Sequence, residues 1–153
     1  QFSVPILGIC YGMQLLAFRL GGQVAGASHR EYGASEITAH PPDIRLEGLP
    51  TLLPVWMSHG DQVHALPPGF TRIFSTSTCP IAGFANPLQK IWGIQFHPEV
   101  AHTQHGIQLL RNFLFSICGA RGDWNMGDHL QESIRRIQEK VGNAYGKCVE
   151  VFQ

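Results

Sequence analysis

The hydrophobic positions at the start of the chain change period once. Residues 4–10, VPILGIC, are almost wholly apolar, the pattern of a short strand buried on both faces of a parallel sheet. Residues 12–22, GMQLLAFRLGG, continue with helical spacing and stop at Gly21-Gly22. Further on, SEIT (35–38), LLPVWMSH (52–59), TRIFSTS (71–77), IAGFAN (81–86) and KIWGIQFH (90–97) are short strand candidates separated by Pro, Gly and Asn turns. Residues 101–118 lose strand alternation, and Ile107, Leu110, Phe113, Leu114 and Ile117 recur at helical spacing. A polar, Gly-rich connector follows, GARGDWNMGD. Then HLQESIRRIQEKVG sets Leu130, Ile134, Ile137 and Val141 on one stripe among charged neighbours. That helix fits two roles: packing on its own domain, or linking to a further one. The last residues, NAYGKCVEVFQ, carry no clear pattern. Strands and helices in this succession predict an α/β domain with a partial doubly wound, mostly parallel sheet and flanking helices.

Bulk composition narrows the class. The chain has 153 residues, 44% hydrophobic and 14% charged, enough for one domain with a buried core. Lys plus Arg and Asp plus Glu each number 11, which argues against a nucleic-acid or membrane-surface binder working by bulk charge. No apolar run is long enough to span a bilayer, and QFSVPILGIC lacks the basic region of a signal peptide. Cys10, Cys79, Cys118 and Cys148 form no C-x-x-C motif, so neither a zinc site nor a disulfide framework is expected, and the cytoplasm is the natural compartment.

Candidate chemistry gathers at two points. Gly8-Ile9-Cys10-Tyr11-Gly12 places small residues two before and two after a cysteine, where the strand hands over to the helix. A sharp elbow with a strained nucleophile needs that arrangement, because side chains at the flanking positions are expected to strike the crossing backbone. The helix N-terminus should stabilise a thiolate, and the Tyr11 N–H would face an oxyanion on an attacked carbonyl. Against this stands the commonest state of a free cysteine, a small buried hydrophobe. A thiol nucleophile also needs a base. Among eight histidines, His97 in IWGIQFHPEV is the best candidate, since it ends an apolar strand. Glu99 lies two residues on, on the same side of an extended segment, and Pro98 between them restricts the backbone. His102 and His105 have a loose metal-ligand spacing without a third ligand, so no metal is expected there.

PILGICYGMQLL, REYG, VWMSHGDQV and GIQFHPEV together resemble the class I (triad) glutamine amidotransferases, most closely the glutaminase domain of GMP synthases. The likeness spans residues 4 to about 142 and includes the helix HTQHGIQLLRNFLFSICG and the connector DWNMGDHLQESIRRIQEKVG. It implies that Cys10 is the nucleophile, His97 the general base and acid, and Glu99 the orienting carboxylate. It implies that Tyr11, Gly12, Gln14, Ser58, Gly60 and Asp61 meet the substrate, L-glutamine, with Gln14 one helical turn past Cys10. The implied reaction is hydrolysis of the glutamine side-chain amide through a γ-glutamyl thioester, the ammonia passing to adenylated xanthosine monophosphate to give GMP. Other pathways served by the same chemistry are anthranilate or carbamoyl phosphate synthesis. A γ-glutamyl thiol hydrolase and an inactive fragment that only associates with a partner are the remaining alternatives.

The family domain starts with further strands, a helix and a Gly-Gly-Pro loop upstream of the Cys10 motif, and it continues into a phosphate-binding loop. The expectation is therefore a piece of a two-domain enzyme: residues 1–120 a glutaminase domain lacking its N-terminal portion, 121–142 a linker helix toward an ATP-pyrophosphatase domain, and 143–153 an unassigned tail. No cofactor is expected within the chain. ATP and magnesium would belong to the partner domain, and a homodimer of the complete enzyme stays open.

Overall fold

The computed structural model describes residues 4–40, 48–123 and 126–141. The tail 143–153 and the connector residues Trp124 and Asn125 lie outside the described residues. The chain separates into two compact units, Gln1–Ala120 and Arg121–Gln153.

The first unit is built on a six-stranded sheet. Its elements are β1 (Ile6–Ile9), α1 (Tyr11–Arg19), β2 (Gln23–Ala39), β3 (Leu52–Ala65), β4 (Thr71–Ser75), β5 (Gly83–Asn86), β6 (Ile91–Ile94) and α2 (Gly106–Arg111). A π-helical segment, Asn112–Ile117, follows α2 directly. The strand order is β1-β6-β5-β4-β2-β3. The α/β class and the flanking helices are as the pattern predicts, but the expected parallel character holds only for β1 and β6; the other pairs are antiparallel. Between β5 and β6 the cause is connection length. Pro87–Lys90 alone joins β5 to β6, far shorter than the dozen or more residues a parallel crossover needs.

β2 is much longer than SEIT. Residues 23–34 form an exposed ribbon with β3, with a register shift between Gly26 and Glu31. Most side chains on this stretch face water, so its sequence lacks the alternation that announces a half-buried strand.

Two hydrophobic clusters lie on the two faces of the sheet. One joins Ile37, Val55, Met57, Phe74, Trp92, Ile94 and Phe96, with Leu109, Phe113 and Ile117 packed against it. The other joins Met13 and Ala17 of α1 to Val63, Phe70, Phe84 and Ile91. In the π-helical turns the Cys118 N–H donates to the Phe113 carbonyl. Leu109, Phe113 and Ile117 face the core, while Ile107 in α2 is 75% exposed, outside the core that the regular spacing assigned it.

β1 and β6 pair with Gly8 opposite Gly93. A methyl group at Gly8 would sit 2.8 Å from the Gly12 backbone, and one at Gly93 2.8 Å from Met13. The facing glycines let α1 lie close to the sheet.

The second unit contains α3 (Met126–Val141). Glu132 pairs with Arg135 and Arg136, and Arg135 also with Glu139, at i,i+3 and i,i+4 spacing. Leu130, Ile134, Ile137 and Val141 are all exposed along it.

Candidate functional site

The turn from β1 into α1 sets Cys10 at φ 52° and ψ −110°, a left-handed backbone that a non-glycine residue rarely adopts. The Cys10 N–H donates to the Ile94 carbonyl at 2.8 Å, and its own carbonyl accepts from the Gln14 N–H at 3.2 Å. Bonds to the neighbouring strand and to the first helical turn thus hold the strained residue from both sides. Packing requires glycine at Gly8. At Gly12 the expected collision is absent, since an added methyl would meet nothing within 4 Å. Gly12 borders open space rather than relieving a clash.

The thiol is half-buried, and its S–H donates to the Ser58 carbonyl at 3.5 Å. Burial pushes the Cys10 thiol up from its ordinary value; the Tyr11 N–H and the Gln95 side chain pull it down less strongly, while the Glu99 charge adds to the rise. A helix N-terminus taken by itself predicts a stabilised thiolate. The structure reverses that sign because desolvation outweighs the donors.

His97 stands three residues past the end of β6, the strand beside β1. Its N–H donates to the Trp56 carbonyl at 3.1 Å, and its carbonyl accepts from Thr103 Oγ1. Thr103, 7% exposed, also accepts from the Trp56 N–H, so it ties the segment after β6 to β3. His97 Nδ1 and Glu99 Oε1 are 2.7 Å apart. Burial works to raise the Glu99 carboxyl, but hydrogen bonds from His97 and from its own N–H prevail and hold it below the ordinary carboxylate range. A proton on Nδ1, held by that carboxylate, leaves Nε2 as the basic nitrogen.

Gln14, 8% exposed, is on the inner face of α1. Its Nε2 donates to the Asp61 carbonyl at 2.8 Å and to Gln95 Oε1 at 3.1 Å. Both hydrogens are committed, so what Gln14 can offer a ligand is its Oε1. Ser58 and Asp61 meet the site through backbone carbonyls, while their side chains are exposed. Gly60, between them on β3, faces Tyr32 and Arg30 of β2. The Tyr11 side chain is 72% exposed, and only its N–H engages the thiol.

Three further groups join the site without a sequence signal of their own. Gln95 lies inside GIQFHPEV, yet nothing marks its side chain as turned toward the thiol. Thr103 carries no motif. Glu31, in REYG, and His59, in SHGD, form a buried pair at 2.9 Å. Glu31 also accepts from Ser35, Thr76 and Thr78, and His59 Nδ1 lies 3.0 Å from the Asp61 carbonyl. Glu31, His59 and Cys79 bring one potential metal-ligand atom each within 4.8 Å. The Glu31 and His59 atoms are already engaged by protein partners, and burial followed by the Glu31 charge pushes the Cys79 thiol up to about 12. The group fits a structural hub that braces β3 beside the thiol. His102 stacks on Trp56 at 4.6 Å, which gives it a packing role.

The chain matches the family model for glutamine amidotransferase class-I over residues 1–117. It is 48% identical over 148 residues to the glutamine-hydrolyzing GMP synthase of Syntrophomonas wolfei, covering 97% of this chain and 29% of that protein. The match to the enzyme of the same name in Bordetella parapertussis is 48% over 151 residues, covering 94% and 28%. Among solved structures, a protein from Thermoplasma acidophilum described as one component of a GMP synthase has a TM-score of 0.71 at 38% identity, covering 88% of this chain and 61% of that one. A Thermotoga maritima glutamine amidotransferase has a TM-score of 0.60 at 27% identity, covering 90% and 54%. The chain spans 28–29% of the length of the curated relatives it matches.

Proposed function

The chain belongs to the class-I glutamine amidotransferase family, and from that premise we propose that it is the glutaminase part of a GMP synthase. The observation that carries the reading is the convergence of a strained Cys10 and the His97–Glu99 pair just past the ends of two adjacent parallel strands. Partial burial favours the neutral Cys10 thiol, so its proton must be taken by a base during attack. His97 Nε2 takes it as Sγ bonds to the side-chain carbonyl carbon of glutamine. The oxyanion of the tetrahedral intermediate is met by the Tyr11 N–H. Collapse breaks the C–N bond, His97 returns the proton to the leaving nitrogen, and ammonia departs from a γ-glutamyl thioester. Water then adds with His97 again as base. The C–S bond breaks, glutamate leaves and the thiol is restored. Glu99 holds the imidazole tautomer throughout.

The space above Gly12, the Oε1 of Gln14 and the Ser58–Asp61 stretch of β3 receive the substrate's amino-acid head group. Ammonia passes to adenylated xanthosine monophosphate on an ATP-pyrophosphatase domain, and α3 is the link toward it. ATP and magnesium would act on that domain; no step of nucleotide chemistry rests on the residues described above. The reaction is assigned to the cytoplasm. Among the described residues no helix is long and apolar enough to cross a membrane.

The test is product formation in the complete enzyme with each nitrogen donor in turn. Cys10→Ala should cut glutamine-dependent GMP formation by several orders of magnitude and leave ammonia-dependent formation near the original rate. Equal loss with both donors in a folded variant would remove Cys10 from the role of glutaminase nucleophile.

A further inference from the structure

Gln95 is wholly buried, one residue past β6, and its N–H is fixed by the Ala82 carbonyl at 2.9 Å. Its side-chain Nε2 lies 3.7 Å from Cys10 Sγ, a normal separation for an N–H donor and the large sulfur atom. Its Oε1 accepts from Gln14 Nε2.

The direction of this amide follows from a backbone carbonyl two hydrogen bonds away. The Asp61 oxygen can only accept, so Gln14 must turn its NH2 group toward it. The second hydrogen of that NH2 then meets Gln95, which must present its oxygen to Gln14 and its own NH2 group to the sulfur. The Asp61 carbonyl is itself gripped by His59, whose other nitrogen is held by Glu31. Which end of Gln95 faces the thiol is therefore set by the fold.

We propose that Gln95 is a catalytic residue of this site, its Nε2 donating a fixed hydrogen bond to Cys10 Sγ that stabilises the thiolate. The inference rests on the reading of Cys10 as nucleophile. It also answers a difficulty of the site. Burial favours the neutral thiol, and a buried amide held in place supplies a donor without reorganising as the charge appears.

The experiment is the pH–rate profile of Cys10 carbamidomethylation by iodoacetamide in the complete enzyme. Peptide mass spectrometry separates Cys10 from Cys79, Cys118 and Cys148, and circular dichroism confirms folding. Gln95→Leu should move the profile to higher pH and slow the reaction at neutral pH about tenfold, the worth of one hydrogen bond to a charged group. Gln95→Glu keeps an acceptor for Gln14 but sets a carboxylate against the sulfur, and should move the profile further the same way. If Gln95→Leu does not fold, Gln95→Glu carries the measurement. A profile unchanged in a folded Gln95→Glu overturns the proposal. Wild-type protein without glutaminase activity, but with a profile that responds to Gln95, overturns the glutaminase reading and leaves the hydrogen bond standing. An active wild type whose profile ignores Gln95 does the reverse.

Discussion

The β1–α1 elbow and the helix α3 are held by opposite means. At the elbow the local backbone is unfavourable, and contacts from residues far along the chain impose it: Ile94 on the Cys10 N–H, Gly93 opposite Gly8, and Gln95 on the thiol. In α3 every stabilising ion pair described is local, between side chains three or four residues apart, and its apolar stripe stays exposed. The described ion pairs of α3 draw only on its own sequence. A strained, chemically useful residue needs the rest of the molecule to over-determine it.

Substitutions at the two elbow glycines test that contrast most strongly. Gly8→Ala would push a methyl into the Gly12 backbone and should destabilise the domain by about 1–3 kcal/mol, as overpacking does. Gly12→Ala, which meets open space, should hold stability within about 0.5 kcal/mol while reducing glutamine turnover. Thermal melts and a glutaminase assay on both variants give the answer. Equal melting temperatures would show that the elbow is not set by close approach.

A buried thiol away from the elbow offers a smaller effect. Cys79 keeps its proton up to about 12, whereas in the unfolded chain it should ionise near its ordinary value of 9.0. Its contribution to stability is therefore complete below pH 9 and is lost progressively as pH rises from 9.0 toward about 12. Melting temperatures across that range should fall more steeply for the wild type than for Cys79→Ala. Parallel curves would mean that the burial is not felt as a protonation preference.

The smallest change is expected in α3. Arg135→Ala removes two exposed pairs and should leave the melting temperature nearly unchanged, with a slight loss of helicity that added salt erases. A large loss would show that α3 depends on more than its local pairs.

The same division explains what could be read from sequence. The Cys10 elbow and the His97-Pro98-Glu99 run were legible because their signals lie within a few residues of each other. The class α/β and the helices α1 and α3 were legible from period. The ribbon of β2 was hidden because both its faces are largely wet. Regular spacing did not announce the π-helical turns of residues 112–117 or the exposure of Ile107. Gln95, Thr103 and the Glu31–His59 pair owe their positions to strand pairing across dozens of residues. The sign of the Cys10 shift depends on burial, which a helix-dipole argument leaves out.

The parallel pairing of β1 with β6 has a consequence for the order in which the molecule assembles. Cys10 and Gln95 are 85 positions apart, and Gln14 and Gln95 are 81 apart. Closing so long a loop costs entropy before any contact repays it, so the antiparallel pairs β2–β3, β4–β5 and β5–β6, joined by shorter links, are expected to form first. The reactive centre would then be among the last features to appear. In a refolding experiment, burial of the Cys10 thiol, followed by pulse alkylation, should lag behind the recovery of far-ultraviolet circular dichroism.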